Sequence, residues 1–237
     1  MKILLAGYGK MGKLIEETVL SREDMEIVGI IDIDNMDSLD TMGKVADIVI
    51  DFSHPNMMES IYEYVTKTET PWLCGTTGVD HNWEERLQIL SKKIPLIHSS
   101  NYSYGVAVFR HILSEIKGTL EGYDIELMET HHNQKIDAPS GTAKLLLTAL
   151  DPQDEYKKVY GREGMCGARS PGEIGVHVLR GGTVAGEHKV SFFGKDEILE
   201  ISHKATSRQI FVDGALRTAE KLVKLSPGYY TMEDILF

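Results

Sequence analysis

The sequence predicts an α/β protein in two parts: a parallel-sheet domain, and an α+β domain built on a mixed sheet. Three observations carry this. Short apolar runs alternate with helix-period segments through roughly residues 1–100, the pattern of parallel strands joined by right-handed crossovers. From 174 to 206 that pattern gives way to alternating strands separated by glycine turns. A last helix-period segment, 207–224, is ended by Pro227-Gly228. Residues 1–102 with 207–237 are therefore assigned to the first domain and 103–206 to the second.

In order, K-I-L-L-A (2–6) is a strand that runs into Gly7, and residues 11–20 follow with helical periodicity. E-I-V-G-I-I-D (26–32) and D-I-V-I-D-F (47–52) are further apolar strands. A helix after Pro55 reaches about Lys67, and P-W-L-C-G (71–75) is again extended. Residues 82–92 form a helix and I-P-L-I-H-S (94–99) closes the series. In the second part, 105–116 is helical and Y-D-I-E-L-M-E-T (123–130) alternates as a strand. I-G-V-H-V-L-R, a Gly181-Gly182 turn, T-V-A-G-E-H-K-V-S-F-F, a turn at G-K-D-E and I-L-E-I-S-H-K-A then read as a meander.

Composition narrows the partners. With 25 basic and 36 acidic residues the chain carries a formal charge of −11, and no basic stripe offsets the repulsion from nucleic-acid phosphates. No apolar run reaches the 18 or more residues of a membrane span. M-K-I-L-L-A-G-Y-G passes straight from a short apolar run into a glycine turn, unlike a signal peptide. The cysteines, Cys74 and Cys166, form neither a disulfide framework nor a metal-ligand spacing. A cytoplasmic protein is expected.

Gly7-Tyr8-Gly9-Lys10-Met11-Gly12 is a G-x-G-x-x-G that follows a strand and opens a helix, and Asp32 lies 20 residues beyond Gly12, where the second strand ends. The first glycine permits the turn, the second lets a pyrophosphate reach the backbone, and the third lets helix pack on strand. The acid accepts from ribose hydroxyls. Strand, helix and acid in register indicate a Rossmann-like dinucleotide-binding domain. Asp32 and the following Ile33-Asp34 offer a 2′-phosphate no counter-charge, so NADH is expected to serve at least as well as NADPH. Gly75-Thr76-Thr77-Gly78 and Ser99-Ser100-Asn101-Tyr102 each follow a strand, at the sheet edge where ligands bind in such folds. Turn chemistry alone could equally explain the second of these segments. Cys74, at the end of an apolar strand with no evident base, reads as a buried inert thiol.

The densest chemistry lies in E-T-H-H-N-Q-K-I-D-A-P-S-G-T-A (129–143). His131, His132 and Lys135 supply protons and positive charge. Ser140 to Thr142 open a helix whose first amides lack internal partners and suit an anion. On an extended strand the two histidines point to opposite sides, so only one faces the cleft squarely. His54, His81, His98, His111, His177, His188 and His203 read as structural. Zinc is the rival for the His-His pair, but Glu129 and Asp137 complete no ligand spacing and Lys135 would repel a cation, so no metal is expected.

Together with G-T-T-G, S-N-Y-S-Y-G-V, I-G-V-H-V-L-R-G-G-T-V-A-G-E-H and I-S-H-K-A-T-S-R, these motifs resemble the 4-hydroxy-tetrahydrodipicolinate reductase (dihydrodipicolinate reductase) family of lysine biosynthesis, in the family's order and over nearly the whole chain. The resemblance implies reduction, by NADH or NADPH, of a cyclic dicarboxylate that loses water at C4 and takes hydride there. It implies His131 and Lys135 as acid/base and proton-donor positions, and His132, Gly141 and Thr142 as substrate contacts. Gly7 to Gly12, Asp32, Gly75 to Thr77 and Ser99 to Tyr102 would hold the dinucleotide. A hinged homotetramer with an intersubunit sheet from 174–206 would follow. The chain has S-N-Y-S where the family commonly has A-N-F-S, which leaves the Tyr102 hydroxyl to be explained. Another nicotinamide-dependent dehydrogenase on the same scaffold, or a non-catalytic nucleotide sensor, are the competing readings. The 129–143 cluster favours the reductase.

Overall fold

A computed structural model describes residues 1–80 and 82–237; His81, one of the histidines read as structural, lies outside the described residues. The chain divides into two compact units, Met1–Tyr104 with Gln209–Phe237, and Gly105–Arg208.

The first unit holds a parallel sheet of β1 (Lys2–Ala6), β2 (Glu26–Ile31), β3 (Ile48–Asp51), β4 (Trp72–Cys74), β5 (Pro95–His98) and a final strand, Gly228–Tyr230, in the order final strand, β5, β4, β3, β1, β2. Apolar residues cover every position of Ile48–Ile50 and Trp72–Cys74, as strands buried on both faces require. Helix α1 (Lys10–Leu20) buries Gly12, Ile15 and Val19 at helical spacing, and α2 (Met58–Thr68) buries Met58, Ile61, Tyr64 and Val65. Helix α3 spans Asn82–Leu90. The core gathers Leu4, Val49, Met57, Tyr64, Trp72 and Leu96 among others. The direction in which successive strands are added reverses at β1, because β2 and β3 lie on opposite sides of it. That reversal creates a crevice at the carboxyl edge, where parallel sheets bind ligands.

The second unit holds α4 (Tyr104–Ile116, whose first residue belongs to the other unit), β6 (Asp124–His131), α5 (Gly141–Leu150), β7 (Lys157–Val159), β8 (Glu173–Arg180), β9 (Gly186–Gly194) and β10 (Glu197–Ala205). Its sheet runs β10-β9-β6-β8-β7. The sequence reading of a meander is corrected here. β8 and β9 are not neighbours across the Gly181-Gly182 turn, since β6 lies between them, parallel to β8 and antiparallel to β9. Among the described residues only β9 and β10 form a hairpin. The strand expected from Thr183 starts at Gly186, and β7 was not anticipated. Phe109, Leu113, Leu146, Leu150, Ile125, Leu127, Val176, Val190 and Phe192 form one apolar cluster between α4, α5 and the sheet.

The chain returns to the first unit with α6 (Gln209–Leu222), which packs on α1 and on β3, β4 and β5. The short strand Gly228–Tyr230, now β11, adds itself parallel to β5, where the sequence showed only a helix stop. Helix α7 (Met232–Leu236) follows a Thr231–Asp234 capping box. Among the described residues no helix is long and apolar enough to cross a membrane.

Candidate active site

Every strand of the first sheet is parallel, so the residues that follow β1, β2, β3, β4 and β5 converge on one edge. Gly7 has φ +88°, and a Cβ on it would meet the Phe52 carbonyl oxygen at 2.5 Å, so no other residue fits the turn. A Cβ on Gly12 would collide with the Gly7 carbonyl. Beside Gly9, the residue preceding α1, space is open. Asp32 follows β2, and its Oδ1 accepts from the Ile33 amide at 2.9 Å.

Asp51, at the end of β3, is fully buried and organises this edge. Its Oδ1 accepts from the Ser53 amide at 2.9 Å and the Thr76 hydroxyl at 2.8 Å, and Cys74 Sγ donates to Oδ2 at 3.4 Å. Thr76 is therefore engaged through its side chain, whereas Thr77 and Ser100 are exposed. Tyr102 is buried, packs edge-on to Phe52 and donates its hydroxyl to the Cys74 carbonyl at 2.7 Å. That hydroxyl ties β4 to the segment after β5, so Tyr102 shapes the edge by packing. Burial, with the Asp51 charge beside it, pushes the Cys74 thiol well above its usual pKa, in keeping with an inert thiol.

In the second unit, alternate residues of β6 face the helices. Ile125 and Leu127 enter the apolar core; Glu129 and His131 continue the same face as polar groups. Register supplies their neighbours: Arg180 of β8 pairs with His131, and His188 of β9 pairs with Glu129. Glu129 is fully buried, with His131 and His188 almost so. Its Oε1 accepts from the Ser140 amide and from Arg180 Nη2, each at 3.1 Å. Oε2 lies 3.4 Å from His131 Nδ1 and 3.5 Å from His188 Nε2. The His131 and His188 rings meet edge-on with centroids 5.1 Å apart.

Ser140 caps α5: its Oγ accepts from the Ala143 amide at 3.1 Å and lies 3.1 Å from His188 Nε2. The cap thus anchors the helix N-terminus to the Glu129 cluster. Gly141 sits beyond it with open space where a side chain would be. Strand β6 ends at His131, and His132 opens a turn closed by the Lys135 amide on its carbonyl, so only His131 is held within the cluster. Lys135 Nζ pairs with Asp137 Oδ1 at 2.7 Å.

Burial disfavours ionised Glu129, yet the contacts from His188, Ser140 and Arg180 outweigh it and hold its pKa down to about 2. Desolvation lowers the His131 pKa to about 4. The Glu129 charge opposes this shift, while His188, Lys135 and Arg180 add to it. His131 is therefore neutral at neutral pH. Glu129, His131 and His188 place ligand atoms within 4.8 Å of one another. The set does not suit a metal ion, because the Arg180 guanidinium already satisfies the carboxylate and would repel a cation. Of the other histidines, His54 accepts from the Asn56 amide at 3.2 Å, and His98 and His177 bond the Thr76 carbonyl at 2.9 Å and Glu126 at 2.7 Å. These are structural roles.

Comparison with known proteins adds a second line of evidence. The profile described as "Dihydrodipicolinate reductase, N-terminus" matches residues 1–102, and that described as "Dihydrodipicolinate reductase, C-terminus" matches 105–236. The chain belongs to the dihydrodipicolinate reductase family. A 4-hydroxy-tetrahydrodipicolinate reductase of Exiguobacterium sibiricum is 38% identical over 242 residues, covering 99% of this chain and 96% of that protein. One from Staphylococcus carnosus is 42% identical over 243 residues, covering 99% of each. The solved structure of dipicolinate-bound dihydrodipicolinate reductase from Paenisporosarcina sp. TG-14 superposes with a TM-score of 0.82 at 24% identity, over 100% of this chain and 99% of that one.

As a member of this reductase family the chain is an oxidoreductase that uses a nicotinamide dinucleotide, NADH or NADPH. The first unit fits that group: Gly7 and Gly12 are closed off by backbone, while the open space at Gly9 admits a pyrophosphate beside the start of α1. Asp51, Arg180 and His188 escaped the sequence reading of the site. Glu129 shares a face with His131 by two-residue alternation and could have been found that way; Arg180 and His188 reach the cluster only through strand register.

Proposed function

We propose that the chain reduces 4-hydroxy-tetrahydrodipicolinate to tetrahydrodipicolinate, with loss of water, in the diaminopimelate route to L-lysine. The observation that carries this reading is the β6–α5 cluster. There a buried neutral His131, a Lys135 ammonium and the capped N-terminus of α5 belong to one short segment of a reductase. Loss of the C4 hydroxyl with a neighbouring proton leaves a conjugated imine. The dinucleotide, when bound, would supply the hydride that C4 takes, and a proton completes the product.

Lys135 and His131 handle the protons, with Lys135 next to the charge that builds up on reduction. His132, Gly141 and Thr142 hold the substrate, one carboxylate lying at the N-terminus of α5, where the helix dipole favours an anion. Gly7, Tyr8, Gly9, Lys10, Met11 and Gly12 cradle the dinucleotide, Asp32 accepts from its ribose hydroxyls, and Gly75, Thr76, Thr77, Ser99, Ser100, Asn101 and Tyr102 line its path. Thr76 and Tyr102 act there through backbone groups and packing, since their side chains are engaged internally.

A homotetramer is the proposed assembly. Met128, Leu179, Phe193 and Ile198 share the sheet face turned away from α4 and α5 and are each exposed, an apolar surface suited to a second sheet. Two unpaired cysteines accord with work in the reducing cytoplasm.

A coupled assay tests the function: dihydrodipicolinate synthase forms the substrate from pyruvate and aspartate semialdehyde, and cofactor oxidation is followed at 340 nm. Turnover only while the synthase runs is expected, and none with either cofactor would overturn the reading. Pyridine-2,6-dicarboxylate should compete with substrate and raise the melting temperature by mass action. No effect at millimolar levels with cofactor present would reject the carboxylate site.

A further inference from the structure

The carboxylate of Glu129 has no contact with solvent and no part in the chemistry assigned above, yet four groups converge on it. Two are donors: Arg180 to Oε1, and the Ser140 amide, shared between Oε1 at 3.1 Å and Oε2 at 3.2 Å. The other two are His131 and His188, on Oε2. Among the described residues the buried His131 Nδ1 has no hydrogen-bond partner, and the Glu129 Oε2 lies 3.4 Å from it. A lone pair on Nδ1 would face the negative oxygen and be repelled; an N–H there is attracted. The other ring nitrogen, Nε2, lies over Gly186, where any Cβ would come within 3.1 Å of it.

We propose that Glu129 is a positioning residue for the reduction: it holds His131 with the proton on Nδ1, so that Nε2 presents a lone pair, and leaves Lys135 as the proton donor. The proposal rests on the reading of the site given above and assigns its two proton-handling residues opposite roles. Neutral His131 with a bare Nε2 accepts a proton or hydrogen bond from the reacting molecule, and the Glu129 charge 3.4 Å from its Nδ1–H stabilises the imidazolium that results. The groups facing His131 are Glu129 on its own strand, His188 on β9, Arg180 on β8 and Lys135 in the following turn. Because Glu129 also holds the Ser140 amide, the imidazole and the start of α5 keep a fixed relation.

Glu129→Gln tests this. Its carbonyl oxygen stays at the Oε1 position, the oxygen that takes the Arg180 bond and the nearer arm of the Ser140 amide. The amide NH₂ then takes the Oε2 position facing Nδ1, at the loss of the 3.2 Å arm of the Ser140 bond. An amide donor there converts Nδ1 to an acceptor and moves the His131 proton to Nε2. Long-range ¹H–¹⁵N spectra of ¹⁵N-histidine-labelled protein, with His131 assigned by its loss in His131→Gln, read the tautomer directly. The expected result is Nδ1–H in the wild type and Nε2–H in Glu129→Gln. Alongside it, kcat should fall about 10²–10⁴-fold while the Kd for dipicolinate stays within about threefold. A wild-type His131 protonated on Nε2 overturns the proposal, even if the variant does not fold. So does a folded variant that keeps the Nδ1–H tautomer, or keeps kcat within about threefold of wild type. A wild-type protein inactive on the substrate would instead reject the function, since the tautomer is read without substrate.

Discussion

Arg180 Nη2 lies 3.1 Å from the buried Glu129 carboxylate and donates through the same nitrogen to the Asp137 carbonyl at 2.6 Å. One guanidinium therefore neutralises the charge beneath His131 and tethers the loop that carries Lys135. Arg180→Met should leave a buried carboxylate without a counter-charge, at a cost of about 3–5 kcal/mol. Urea unfolding at pH 7 measures it, and Arg180→Met with Glu129→Gln should recover part of the loss. A single variant within about 1 kcal/mol of wild type would mean that the Ser140 amide and the histidines suffice.

Acid should weaken the second unit through His131. Its folded pKa of about 4 lies below the 6.5 of a free imidazole, so the folded state favours the neutral ring. That stability is complete above pH 6.5 and is lost as pH falls towards 4, where both states carry the proton; about 3 kcal/mol is at stake. Glu129 acts lower, losing its contribution between its ordinary 4.5 and its folded value of about 2. Urea midpoints at pH 7 and 4.5 should fall less for His131→Gln than for wild type. Equal losses would show that His131 titrates normally.

Lys135→Ala and His131→Ala should each reduce kcat about 10²–10⁴-fold, Lys135→Ala more, with NADH affinity little changed because the dinucleotide cradle belongs to the other compact unit. His132→Ala should act mainly on KM. Steady-state kinetics with cofactor titration separate these effects, and near-normal kcat in both alanine variants would refute the mechanism.

Cofactor choice follows from the charge after β2. Asp32 and Asp34 would face the roughly two added negative charges of a 2′-phosphate, with Lys10 in the glycine turn as the only opposing group of that motif. NADH is expected to be used at least as well as NADPH. A tenfold or larger preference for NADPH, about 1.4 kcal/mol, would contradict this.

Tyr102→Phe separates packing from binding. The Cys74 carbonyl keeps its bond from the Ser99 amide at 3.0 Å, so losing the phenol should cost about 1 kcal/mol, or roughly 2–4 °C in Tm. The NADH Kd should not change. A large loss of NADH affinity at unchanged Tm would give the hydroxyl a direct part in cofactor binding.

Local pattern made the first unit legible in the sequence. The strands at 2–6, 26–32 and 47–52 each carry a short central apolar run, and Gly7 and Gly12 mark backbone contacts that leave no room for a Cβ, so composition and spacing alone pointed to this edge. The capped start of α5 was equally visible, because Ser140, Gly141 and the apolar run after them are contiguous. Strand neighbours in the second unit were not visible. The alternation of β8, β9 and β10 is compatible with a meander, and only long-range pairing inserts β6 between β8 and β9.

That insertion decided the chemistry. It brings Arg180 and His188, 51 and 59 residues beyond Glu129, against a carboxylate that in sequence is merely two positions from a histidine. The residue types, their order and the local turns were thus determined by the sequence. Whether His131 is charged, which atom faces it and what neutralises Glu129 were decided only by tertiary structure, because burial and cross-strand register, which set those electrostatics, are sums over distant segments that no local spacing encodes.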